Sequence, residues 1–160
     1  MILRANSLKI SAENLVEILK EEGVNSFVLR GYPDAVQLEE KKNVFLTSAF
    51  KEGFFEVQDA SSQKIAELLD VKEGMRVVDA CAGAGGKTLH IAALMKNKGQ
   101  IIALDIYEWK LAELKRRAKR AGAFNIETRF IEDNKVIKRL HNTADRLLID
   151  APCSGLGVLK

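Results

Sequence analysis

The chain has 160 residues, 47% of them hydrophobic, and a net charge of +3. That is enough for one packed domain, or one with a small appendage, and far from a disordered composition. No apolar run approaches the ~18 residues needed to cross a bilayer. Met1-Ile-Leu-Arg-Ala-Asn lacks a basic stretch leading into an apolar one, so no secretory signal is expected.

In chain order, Ile2–Ile10 reads as a strand. Ser11 is placed to cap a helix over Ala12–Glu22, with Leu15, Ile18 and Leu19 at helical spacing and Gly23 as its stop. Ser26–Leu29 reads as a second strand ended by Gly31-Tyr-Pro33. Short strand-like pieces follow at Ala35–Leu38 and Val44–Leu46. Residues 1–50 are thus expected to form a small α+β module, with residues 51–160 as the second domain.

Phe50–Val57 connects to a helix over Ser62–Leu69, capped by Asp59 or Ser61. A regular alternation then begins. Strands are expected at Met75–Ala80, Gln100–Asp105, Ile126–Ile131 and Arg146–Asp150. Helices are expected at Thr88–Lys96, Glu108–Ala121 and Lys135–His141. Such alternation argues βαβ units and a parallel sheet with right-handed crossovers. Leu147-Leu-Ile149 reads as a strand buried on both faces. Between Lys110 and Arg120, the six basic residues Lys110, Lys115, Arg116, Arg117, Lys119 and Arg120 are set against one acid, Glu113. That run is either a solvated face above a Leu111, Leu114, Ala118, Ala121 stripe or a phosphate-contacting surface.

The first strand of the alternation runs into Asp79-Ala-Cys-Ala-Gly-Ala-Gly-Gly-Lys-Thr88. A turn of this kind lets backbone N–H groups approach a ligand closely. A dinucleotide fingerprint starting at Gly83 fails, because its last glycine would be Thr88. A phosphate loop fits Gly86-Lys87-Thr88, but its first glycine falls on Cys81. A ribose with free hydroxyls favours an acidic acceptor at the end of the next strand, where Asp105 stands. Asp133, past the third strand, is placed to accept from an adenine amino group. Carboxylates after successive strands favour S-adenosylmethionine (SAM) over a triphosphate. The expected cofactor residues are Cys81, Ala82, Gly83, Ala84, Gly85, Gly86, Lys87, Asp105, Asp133 and Asp150.

The last strand runs into Asp150-Ala-Pro-Cys-Ser-Gly155. Carbon 5 of cytosine is barely nucleophilic until a thiolate adds at carbon 6. An acid near ring nitrogen 3 supports charge developing there. Asp150 and Cys153 have the residue types for that chemistry beside a flipped base.

These two loops resemble those of the RsmB/Sun family of RNA cytosine-5 methyltransferases. Gln58-Asp59-Ala-Ser-Ser-Gln63 resembles the family's lead into its catalytic domain, and Leu3-Arg-Ala-Asn-Ser-Leu-Lys9 its small RNA-binding, RRM-like module. One departure is Gly83-Ala84, where the commoner family loop has Ala-Pro. The resemblance implies a Rossmann-like class I methyltransferase sheet of the α/β class, lacking its C-terminal strands and preceded by the α+β module. It also implies SAM as cofactor, RNA (rRNA rather than tRNA) as partner, and no membrane or metal. In the family the attacking cysteine sits in a later Thr-Cys motif, and the Pro-Cys cysteine resolves the covalent product. The only cysteines here are Cys81 and Cys153, so the front part of a longer protein is expected. Both lie in loops, which argues for reduced thiols and a cytoplasmic setting. A phosphate-loop ATP-binding protein and a non-catalytic RNA-binding module are the alternatives.

Overall fold

The computed structural model describes residues 1–151; the proposed role of Cys153 therefore falls outside the described residues. Two four-stranded sheets lie one after the other in the chain. The first contains β1 (Ile2–Ala5), β2 (Ser26–Val28), β3 (Ala35–Leu38) and β4 (Phe55–Val57), in the order β2-β3-β1-β4 and antiparallel throughout. Helix α1 (Ala12–Glu21) covers one face, burying Leu15 and Leu19 against Leu3, Val36 and Phe55. Ser11 Oγ accepts from the Asn14 amide and starts that helix.

The first expected strand is shorter than its apolar pattern implied. At Asn6 the backbone turns, and its carbonyl accepts from the Lys9 and Ile10 amides. The Asn6 side chain donates to the carbonyls of Gly53 (2.8 Å) and Ala121 (2.7 Å), binding the two halves of the molecule together. Val44–Leu46 is a 3-10 turn rather than a strand. Asn43 Oδ1 accepts from the Phe45 amide and the Thr47 hydroxyl donates to the Val44 carbonyl, so local side-chain bonds replace a ladder. A short helix, α2 (Ser48–Lys51), follows, and β4 then joins the first sheet beyond residue 50.

Helix α3 (Ala60–Leu68), capped by Asp59, leads into the second sheet. Its strands are β5 (Arg76–Asp79), β6 (Gln100–Asp105), β7 (Ile126–Phe130) and β8 (Arg146–Leu148), all parallel, in the order β7-β6-β5-β8. Helices α4 (Gly86–Leu94), α5 (Glu108–Ala121) and α6 (Asn134–Lys138) make the crossovers. Alternate residues of the central strands face opposite layers. Val77, Ile101 and Ala103 pack against α3, α4 and α5, while Val78, Ile102 and Leu104 pack toward Leu140 and α6.

That second layer is thin. Leu147 and Ile149 are 54% and 64% exposed, so the expected burial of β8 on both faces does not hold. Among the described residues β8 is an edge strand, and an apolar cavity of about 570 Å³ opens beside Leu147 and Leu140. Strand order reverses at β5: the chain moves outward to β6 and β7, then returns to place β8 on the other side. The crevice at the carboxyl end of β5 is where open sheets of this kind bind ligands.

Candidate functional site: a crevice at the end of the central strand

Asp79 ends β5, and the chain then makes a tight turn through Gly85, which enters α4 with a left-handed φ of 89°. No side chain caps α4, so its first amides have no protein acceptor within the helix. Asp105, at the end of β6, accepts from the Gly83 amide through Oδ2 and from the Tyr107 amide through Oδ1, both at 2.8 Å. It is thereby pinned beside the turn and only 7% exposed.

Two cavities meet at this point. One, of about 460 Å³, is lined by Gly83, Asp105, Ile106, Tyr107, Lys110 and Ile131. The other, of about 290 Å³, is lined by Gln58, Asp59, Ser62, Asp79, Gly86 and Lys87. Cys81 and Asp150 border both. The first has an apolar wall with the Asp105 and Asp150 carboxylates at its edge; the second is polar.

Charge is arranged with care in the polar cavity. Lys87, in the first turn of α4, would oppose the helix dipole if alone. Its Nζ instead lies 2.5 Å from Asp150 Oδ2. Asp79 is 1% exposed; its Oδ2 accepts from the Thr88 hydroxyl at 2.7 Å, and its Oδ1 has no hydrogen-bond partner among the described residues. Burial pushes its carboxyl up to about 6, partly offset by Thr88. The Cys81 thiol is held above its ordinary value by burial and then by the Asp79, Asp105 and Asp150 carboxylates. A thiol held neutral in this way is a poor nucleophile.

The structure thus brings together Cys81, Ala82, Gly83, Gly86, Lys87, Asp105 and Asp150 around one crevice. Ala84 lies at the back of the turn, with its carbonyl accepting from Arg117. Asp133 stands apart: its Oδ1 caps α6 by accepting from the Lys135 amide, and the wall near it is made by Ile131. Asp79, Ile106, Tyr107 and Gln58 were not singled out in the sequence as site residues. The position of Asp79 at a strand end was the signal available for it.

The basic helix splits in two. Arg117 and Arg120 are largely buried and both pair with Glu56 of β4, at 2.8 and 2.5 Å. Arg116 pairs with Glu113. Lys115 and Lys119 are left on the exposed side. The expected phosphate-contacting surface therefore excludes Arg117 and Arg120, because a buried carboxylate holds them. Among the described residues no helix is long and apolar enough to cross a membrane.

A parallel sheet whose central strand ends in an acidic residue and a glycine turn, with a second acid ending the next strand, defines a Rossmann-like methyltransferase domain. The chain belongs to the 16S rRNA methyltransferase RsmB/F family, whose model matches residues 66–160. It is 39% identical over 161 residues to a probable ribosomal RNA small subunit methyltransferase B of Bacillus subtilis, covering 99% of this chain and 35% of that protein. The chain thus spans about a third of the length of such curated relatives. A methyltransferase homolog from Pyrococcus horikoshii superposes with a TM-score of 0.85 at 35% identity, over 96% of this chain and 50% of that one. NSun6 from P. horikoshii, solved with SFG, gives a TM-score of 0.88 at 23% identity, over 98% and 64% of the two chains. Its likeness is one of fold. These matches do not favour the phosphate-loop ATP-binding alternative.

Proposed function

We propose that this chain holds SAM across the turn 81–87 and serves in methylating carbon 5 of a cytosine in rRNA. The single observation that carries the reading is the pair of cavities sharing Cys81 and Asp150, with Asp105 walling one and a half-satisfied, buried Asp79 the other. An apolar pocket with Asp105 on its wall suits a nucleoside; a polar one with a carboxylate oxygen left unpartnered suits an amino-acid ammonium group. SFG, bound in the NSun6 structure, is a SAM analogue, which supports the same reading.

In this reading Asp105 accepts from the ribose, and Asp133 takes the adenine amino group through Oδ2, since Oδ1 already caps α6. Asp79 and Asp150 lie toward the methionine end. SAM supplies an electrophilic methyl group on a sulfonium centre. Asp150, paired with Lys87, is assigned the support of the cytosine ring at nitrogen 3. Cys81, neutral and facing carboxylates, is left out of the covalent chemistry. Cys153 is assigned the release of the covalent product, with attack at carbon 6 by a cysteine of a Thr-Cys motif.

That assignment has a direct test. In a protein that carries such a motif together with this segment, Cys153→Ala accumulates RNA-linked protein on a denaturing gel, because methyl transfer proceeds while release stalls. A variant that forms no linked species and transfers no methyl group makes Cys153 the attacking thiol instead.

RNA affinity is assigned to the N-terminal module and the exposed side of α5. Reversing charge at Lys115 and Lys119 is expected to lower the salt slope of RNA binding by about two, one for each phosphate left without its lysine. Filter binding across a salt series measures this. An unchanged slope makes that side of α5 a merely solvated surface.

A further inference from the structure

We propose that Arg4 and Arg117 are positioning residues for the cofactor turn, so that the N-terminal sheet is part of the SAM site as well as an RNA-binding appendage. The proposal rests on the SAM reading above and adds what holds the turn in shape.

The turn is gripped from behind by two guanidinium groups. Arg4, on β1, donates through Nη1 to the Gly86 carbonyl at 2.7 Å and to Gln58 Oε1 at 2.5 Å. Arg117, on α5, donates through Nη1 to the Ala84 carbonyl at 2.8 Å, while Nη2 and Nε both reach Glu56 Oε2. Glu56 is 4% exposed and sits on β4, and Arg120 completes its shell through Oε1. Arg4 is 2% exposed; burial lowers it to about 10, so it stays charged at neutral pH. Neither arginine lines either cavity of the crevice: Arg117 acts through the backbone it holds, and Arg4 through the Gly86 carbonyl and the Gln58 side chain that borders the polar cavity.

Peptide planarity carries the effect forward. In a trans peptide the N–H points opposite to the C=O of the same unit. Fixing the Gly86 carbonyl toward Arg4 therefore aims the Lys87 amide the other way, toward the polar cavity that Gly86 and Lys87 line. That amide belongs to the first turn of α4, which has no acceptor of its own. Glu56, Arg117 and the Ala84 carbonyl form the matching brace two residues earlier. Holding a loop in its bound shape raises affinity by removing the cost of ordering it.

The test compares three variants. Arg4→Lys and Arg117→Lys both keep the charge, but Arg117→Lys cannot span Glu56 and the Ala84 carbonyl with one planar fork, and Arg4→Lys puts its ammonium one bond short of the Nη1 that holds Gly86 and Gln58. Asn6→Ala breaks an equally buried contact between the halves, to the Gly53 and Ala121 carbonyls, without touching the turn. Calorimetry with SAM is run below every melting transition, beside hydrogen exchange of amides 84–88 in the ligand-free proteins. Each lysine variant is expected to lose about tenfold in SAM affinity and to exchange faster across the turn, as a pre-ordered loop becomes mobile. Asn6→Ala is expected to melt earlier with affinity and turn exchange unchanged. Lysine variants that merely melt earlier, like Asn6→Ala, overturn the proposal. If the unaltered chain binds no SAM, the cofactor reading fails, and exchange at 84–88 still decides the positioning role by itself.

Discussion

Replacing Asp79 by Asn is expected to stabilise the ligand-free protein at pH 8 and to weaken SAM binding there. The side chain is 1% exposed, with the Thr88 hydroxyl on one oxygen and nothing on the other among the described residues. Burial raises the carboxyl from 3.8 to about 6. A carboxyl raised on folding favours its protonated form in the fold. Its contribution is complete below about pH 4, the unfolded value, and is lost as pH rises through about 6. Ionising it at pH 8 therefore costs on the order of 3 kcal/mol, from about two units at 1.36 kcal/mol each. Asparagine keeps an acceptor for Thr88 and carries no charge. Urea unfolding at pH 5 and pH 8 should show the parent losing stability over that interval and the variant changing far less. SAM affinity should run the opposite way. The ionised form offers the unpaired oxygen to an ammonium group, so parent affinity should fall roughly tenfold per pH unit below about 6. The variant should be weaker at pH 8 and nearly flat. Equal affinity in parent and variant at pH 8 would remove Asp79 from the site.

Gly85→Ala should cost about 2–5 kcal/mol, the sum of left-handed backbone strain and overpacking. Gly85 has a φ of +89°, and an added Cβ would stand 2.6 Å from Leu114 Cγ. Leu114 is fully buried in the core between α5 and the sheet, and its Cγ, not a flexible chain end, is the atom met. Gly83 provides the comparison: its φ is +56°, but nothing lies within 4 Å of an added Cβ. Gly83→Ala should therefore cost only the strain, about 1–2 kcal/mol. Thermal melting of the two variants reads the difference directly. Equal losses would mean that backbone conformation, not the approach of α5, makes glycine necessary at 85.

The alternating half of the chain was legible because its physics is local. Buried parallel strands read as short apolar runs, and the glycine and acidic residues that end them mark the ligand side. Ser11, Asp59 and Gly122 cap their helices as their chemistry implies. Three things were not legible, each because it depends on a partner far away in sequence or on bonds that alternation does not encode. Val44 is buried while Phe45 and Leu46 are exposed, an arrangement set by Asn43 and Thr47 rather than by alternation. Leu147 and Ile149 look like core, but burial requires a covering layer, and a strand pattern does not say whether one is present. Arg117 and Arg120 look like surface charge, and only Glu56, 61 and 64 residues earlier, explains why they are buried. Asp105 and the turn were expected at one place and do meet at the crevice, whereas the weight of Asp79 came from its burial, which strand-end position alone does not reveal.

The position of Glu56 also bears on the order in which the protein takes shape during synthesis. Every strand of the first sheet has been made once Val57 leaves the ribosome, and N-terminal units fold first as a chain emerges. That sheet can then close around Leu3 and Phe55 while Glu56 is still in water, because Arg117 and Arg120 belong to a helix not yet made. The partners that cover Glu56 and close the back of the turn are therefore the last of these groups to be made. A ribosome that pauses before Arg117 is made holds a nascent chain in which Glu56 has neither of its arginine partners.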